Sequence, residues 1–158
     1  MGLVRLVKYY KHRMGRLPGT PRYIALGFAT GIAVSFTPFI GFHLAAAGLI
    51  VWMLRGSLMA MALGTLAAGN PWTYPFIWVA TYQLGKFMLG EKENGGEFFR
   101  LSHGFTLSDL LQKPMELLLP MTLGSIPLGV LSWTVSFYFV RHIIKRYKEA
   151  RLARIHKH

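Results

Sequence analysis

Three long apolar stretches dominate the chain, and short polar or Pro/Gly-rich segments separate and interrupt them. Ahead of the first, Leu3, Leu6, Val7, Tyr10, Met14 and Leu17 recur at helical spacing, while Arg5, Lys8, Lys11 and His12 mostly fill the remaining surface. Residues 1–22 are therefore expected to form an amphipathic helix at a bilayer surface, cations toward anionic headgroups. The same face also suits packing on a protein partner. Pro18-Gly19-Thr20-Pro21 ends this element. Residues 23–54 follow as an apolar run interrupted by Thr37-Pro38-Phe39-Ile40-Gly41. Each half would measure roughly 20 Å as a helix, against ~30 Å for a bilayer core. Such a run predicts a hairpin dipping into the membrane or a broken, tilted span. Residues 57–89 repeat the plan, with Gly69-Asn70-Pro71-Trp72-Thr73-Tyr74-Pro75 as the break. Residues 117–140 are 24 uncharged positions and make the clearest span, although Pro120 and Pro127 interrupt its backbone ladder. Residues 90–116 read as a water-exposed loop with a short interfacial helix after Thr106, and residues 141–158 as a basic tail.

The expected fold is thus an all-α membrane protein of one domain. It holds two Pro/Gly-broken, re-entrant hairpin-like units and one full transmembrane helix, with an interfacial helix in front. Charge sharpens this picture. The chain is 53% hydrophobic yet carries a formal charge of +12. The two properties are segregated: six Lys/Arg lie in residues 1–22, seven in residues 141–158, and only Arg55 and Lys86 in residues 23–89. By the positive-inside rule both termini are cytoplasmic and residues 90–116 lie outside. Parity then requires that one broken unit crosses and the other returns; the sequence leaves open which.

Charge that flanks apolar runs, instead of forming a stripe on a folded face, argues against a nucleic-acid partner. The absence of cysteine excludes disulfides and thiolate metal sites. The start does not read as a cleavable signal peptide or a myristoylation signal. The apolar stretches contain no Asp or Glu, the histidines are scattered, and no serine sits in a nucleophile elbow. No enzymatic activity, metal or cofactor is expected.

The chemistry resides in the two breaks. Thr37-Pro38-Phe39 and Asn70-Pro71-Trp72 are each a polar capping residue, a proline and an aromatic. Thr and Asn cap helix N-termini, and proline fits the first helical position, so each break reads as the start of a half-helix at membrane depth. In the second, Thr73 and Pro75 are the alternative restart. Bare N–H groups and a partial positive charge at such a start suit an anion, and transporters use interrupted helices in this way. The bland reading is that Pro and Gly kink packed helices. Gly27 and Gly31, and Ala60, Gly64 and Ala68, are small residues at packing intervals. Packing within one chain or in a homo-oligomer fits them equally. At an offset of 33 the units align Ala29 with Ala62 and Gly31 with Gly64, a thin sign of an internal repeat. The candidate ligand-binding residues are Thr37, Pro38, Gly41, His43, Arg55, Asn70, Pro71 and Thr73. For His43 a structural role, and for Arg55 a snorkelling one, are the alternatives.

Ala25-Leu26-Gly27-Phe28-Ala29-Thr30-Gly31, Thr37-Pro38-Phe39-Ile40-Gly41-Phe42-His43, Gly69-Asn70-Pro71-Trp72-Thr73 and Tyr82-Gln83-Leu84-Gly85 together resemble the bacterial membrane family called domain of unknown function 2062. The resemblance implies a multi-pass protein of the bacterial inner membrane. It also hints at polyprenyl-phosphate or glycolipid work, because some relatives join this domain to glycosyltransferases. Where the family often has Arg-x-Asn, this chain has Arg55-Gly56-Ser57. The leading expectation is a transporter or binder of an anionic lipid or lipid-linked precursor, with anionic membrane lipids as partners. The second is a membrane adaptor or scaffold for a glycosyltransferase or other envelope enzyme. A small-solute channel is a weaker third, since no charged ring is present to select ions.

Overall fold

A computed structural model describes residue 13 and residues 17–38, 42–69, 73–90 and 114–155. The expected amphipathic helix over residues 1–22 and the short helix after Thr106 fall almost wholly outside the described residues. Among those described, the chain forms five helices and no strand: α1 Pro21–Val34, α2 Phe42–Met53, α3 Leu58–Ala68, α4 Tyr74–Leu89 and α5 Pro114–Ile155. The first four are the halves of the two interrupted units.

Local chemistry accounts for most helix ends. Thr20 Oγ1 accepts from Tyr23 N–H at 3.2 Å, and Pro21 opens α1 without needing a hydrogen bond. Ser57 Oγ accepts from Ala60 N–H at 3.2 Å to start α3. Helix α4 has Pro75 in its first turn and stops on Gly90 in the left-handed region, φ 73°. At the end of α2, Gly56 N–H donates to Val51 O at 2.8 Å and Arg55 N–H to Trp52 O at 3.1 Å. That pair of bonds is a Schellman closure, with Arg55 at φ 52° in the place glycine usually takes. The glycine stands one position later because Gly56 is pressed against α1, where a Cβ would lie 3.1 Å from Gly27 N.

Helix α5 is one rod of 42 residues that runs through Pro120 and Pro127. The expected span and the basic segment after it are therefore a single helix up to Ile155. Its segment Leu118–Arg151 is, among the described residues, the one helix long and apolar enough to cross a membrane. Between the two prolines, the hydroxyls of Thr122 and Ser125 bond back to the Leu118 and Thr122 carbonyls.

Helices α1 and α3 lie side by side and parallel, and the absence of side chains lets them touch backbone to backbone. A Cβ on Gly27 would stand 2.1 Å from Ser57 O, one on Gly31 2.2 Å from Met61 O, and one on Gly64 2.2 Å from Phe28 O. Helix α2 returns between them, from the end of α1 to the start of α3, burying Ala47 and Val51 with Val34 and Met61. Helix α5 runs antiparallel to α1. Its Phe137, Val140 and Ile144 close the core formed by Ile24, Ala25, Phe28, Ala29, Ala60 and Leu63. Trp133 stacks on Phe137 at 5.2 Å and donates Nε1–H to Thr30 Oγ1 at 3.2 Å. Helix α4 also runs antiparallel to α5, farther toward its N-terminus. There Gly85 meets Pro120 O and Gly124 meets Thr81 O.

Candidate functional site

The contacts above fix where the two breaks lie relative to each other. A Cβ on Gly31 would be 2.8 Å from Thr65 N, so α1 and α3 touch at that level. Ser35 and Gly69, where the helices end, each lie one turn farther along the same parallel pair. The first halves of the two units thus finish side by side. On α5 this level falls near Gly129, where a Cβ would meet Ala33 O at 3.5 Å. Helix α4 restarts at the same height. Counting back two turns from the Thr81–Gly124 contact places Tyr74 opposite Leu131. The phenol of Tyr74 lies over Gly69, where a Cβ would be 3.1 Å from its hydroxyl.

Thr37 and Thr73 sit at these breaks, but neither acts there as the N-cap the sequence suggested. Thr37 Oγ1 donates to Val34 O at 2.7 Å and Ser35 Oγ to Gly31 O at 2.9 Å, closing the C-terminal turn of α1. The carbonyls left unpaired at the end of α1 are adjacent to both hydroxyls and accept from them. Thr73 does occupy the position before α4, as the alternative restart anticipated. Its side chain makes no cap bond, and Oγ1 donates back to Ala68 O. Both hydroxyls therefore tie the end of the preceding helix.

His43 is buried in the first turn of α2, and Pro38 is half-buried after α1. These two, with Thr37 and Thr73, lie at or next to the shared level. Gly41, Asn70 and Pro71 lie outside the described residues. Arg55 does not join them. It is exposed at the far end of α2, beside the start of α1, where Ser57 N–H donates to Tyr23 O at 3.0 Å. Helix α2, 12 residues or about 18 Å long, separates it from His43. Arg55 keeps company with Arg22 and with the basic end of α5, whose Lys148 Nζ donates to Gly19 O. Lys86 lies at the opposite end, over the Tyr82 ring at 5.2 Å.

Sequence reasoning overlooked Thr81, and it named Tyr74 and Tyr82 within motifs without giving either a role. Thr81 and Tyr82 are buried, and Thr81 Oγ1 donates to Trp78 O at 3.0 Å. The available signal was the Thr81-x-x-x-Gly85 spacing, which marks a helix face meant for close approach. Among the described residues no cluster of His, Cys, Asp or Glu could hold a metal ion. No curated protein and no solved structure matches the chain. A family model does, over residues 4–153, and the chain belongs to that family, described as uncharacterized protein conserved in bacteria, DUF2062.

Proposed function

We propose that this is an integral membrane protein that binds, and passes between its breaks, the headgroup of an anionic lipid or a lipid-linked precursor of polyprenyl-phosphate type. The observation that carries this reading is the convergence of both helix interruptions at one level, halfway along the uncharged part of α5. Irregular backbone surrounded by apolar helix faces needs a polar complement, since hydrocarbon supplies no hydrogen bonds. The starts of α2 and α4 offer amides for it. Ser35, Thr37, His43, Thr73 and Tyr74 are described polar side chains at or next to that level, and a negative charge introduced at Asn70 is the sharpest test of it.

A second reading, a membrane adaptor for a glycosyltransferase or other envelope enzyme, is favoured by one observation. The hydroxyls of Ser35, Thr37 and Thr73 already serve backbone carbonyls, and Arg55 stands far from them. The test is lipid identification by native mass spectrometry of the purified protein, for wild type, Asn70→Ala and Asn70→Asp. The lipid reading expects a co-purifying phosphate-bearing lipid, weakened by alanine and weakened further by aspartate, whose charge repels it. Equal retention of acidic lipid by wild type and Asn70→Asp would remove Asn70 from the site. No retained lipid in any variant would favour the adaptor.

A further inference from the structure

Helix α5 serves as a ruler against which every other described helix can be placed. At one end lie Arg22, Arg55 and Arg141. Arg22 adjoins Tyr23, whose carbonyl accepts from Ser57 N–H, and the neighbouring Ile24 packs in the cluster with Val140 and Ile144. At the other end Lys86 follows Gly85, which meets Pro120. From Pro120 to Arg141 the helix advances about 30 Å, the thickness of a bilayer's hydrocarbon core. No described residue between these two levels carries Asp, Glu, Lys or Arg. The outward surface there carries large apolar side chains on α2, α3, α4 and α5, and its exposed Thr134 hydroxyl donates to Val130 O at 2.8 Å. Phe42 is 81% exposed and Trp52 73% on α2, Leu66 61% on α3, Phe76 78% on α4, and Val130 64% and Phe139 62% on α5. Patches of this extent on a monomer mark an interaction surface, and charges closing both ends at bilayer spacing identify what covers it.

We infer that the occupant of this surface is lipid hydrocarbon between the level of Lys86 and that of Arg22, Arg55 and Arg141, and that the two broken units have different fates within it. The inference rests on the membrane reading above and decides what the sequence left open. Helix α1 enters from the basic side, ends near Gly129 at mid-depth, and α2 carries the chain back to Arg55 on the same side. Helix α3 enters again, parallel to α1, and α4 continues from mid-depth to Lys86 on the opposite side. Helix α5 then returns. The first unit is re-entrant, the second crosses, and both interruptions sit near the midplane. The odd number of crossings before Gly90 required by the charge asymmetry follows from this arrangement.

The chain has no cysteine, so single cysteines report side directly. Arg55→Cys, Glu93→Cys and Glu149→Cys are each treated with a membrane-impermeant maleimide in intact spheroplasts, then after permeabilisation. Leu54→Cys, exposed at the same turn, replaces Arg55→Cys if the latter folds poorly. Full labelling of each in sodium dodecyl sulfate confirms that the thiol is free. The expected result is labelling of Glu93→Cys alone in intact spheroplasts, with the turn and Glu149→Cys labelled only after permeabilisation. Labelling of the turn from outside, with Glu149→Cys still protected, would show that the first unit crosses and overturn the inference while leaving the membrane reading intact. Glu93→Cys and Glu149→Cys behaving alike would overturn the membrane reading itself.

Discussion

Among the described helices, two pairs meet without side chains between them, and they differ in direction and in support. In α1 and α3 the helices are parallel, and the contact is reciprocal. Gly31 faces Met61 O, and Gly64 faces Phe28 O. Subtracting 33 from Met61 gives Phe28, and from Gly64 gives Gly31, so each helix does to the other what is done to it. In α4 and α5 the helices are antiparallel, and the contact is again reciprocal, one glycine and one carbonyl from each. Cβ atoms on Gly85 and Gly124 would stand 1.7 Å from Pro120 O and 1.9 Å from Thr81 O. The first pair is supported from outside by α5, through Phe137, Val140 and Ile144, and by α2. The second has no such backing, because α5 is the extensive partner of α4 among the described helices. Close backbone approach is common to both. What differs is how much else would hold if the approach were lost.

That difference is measurable. Gly85→Leu should have the largest effect, because Pro120 O is backbone and has no alternative position. Destabilisation of about 3 kcal/mol or more is expected, seen as a lost monodisperse peak on size-exclusion chromatography in mild detergent. A well-folded Gly85→Leu protein would mean that α4 is not held by this contact. Gly31→Ala pushes one methyl against Met61 O in the supported pair, and should cost about 1–3 kcal/mol in thermal unfolding. A larger loss than at Gly85 would reverse the ranking of the two regions. Gly48→Ala is the smallest change. It lies inside α2 with open space where the Cβ would go, so it should stabilise by about 0.5–1 kcal/mol through helix propensity. Destabilisation there would show that α2 has a neighbour not yet accounted for.

The parallel pair was the more legible of the two. Gly27, Gly31 and Gly64 stood out by spacing, and the offset of 33 already matched Gly31 with Gly64. The structure gives that match a meaning: positions 33 apart meet across the α1–α3 contact, while α2 folds back and α4 runs along α5. The Gly85–Gly124 contact was not legible, since spacing marks a face for close approach but not its partner. The breaks were found because Pro and Gly act locally. The roles of their hydroxyls were not, because a threonine hydroxyl accepts from an amide at a helix start and donates to a carbonyl at a helix end equally well. Arg55 is a candidate by its chemistry, as a cation for a lipid phosphate, and chemistry says nothing of position: helix α2 holds it at the far end from His43.

The return of α2 also gives the molecule two unequal halves. With the bilayer placed as proposed, α1, α2, α3 and α5 occupy the leaflet on the basic side, while α4 and α5 alone occupy the other. At roughly 80–100 Å² of cross-section per helix, the described chain displaces about twice as much lipid area from one leaflet as from its neighbour. A body of that taper acts as a wedge. With the bilayer so placed, it would relieve lateral pressure where a membrane already bends toward the narrow side, a preference set by the point at which one hairpin turns back.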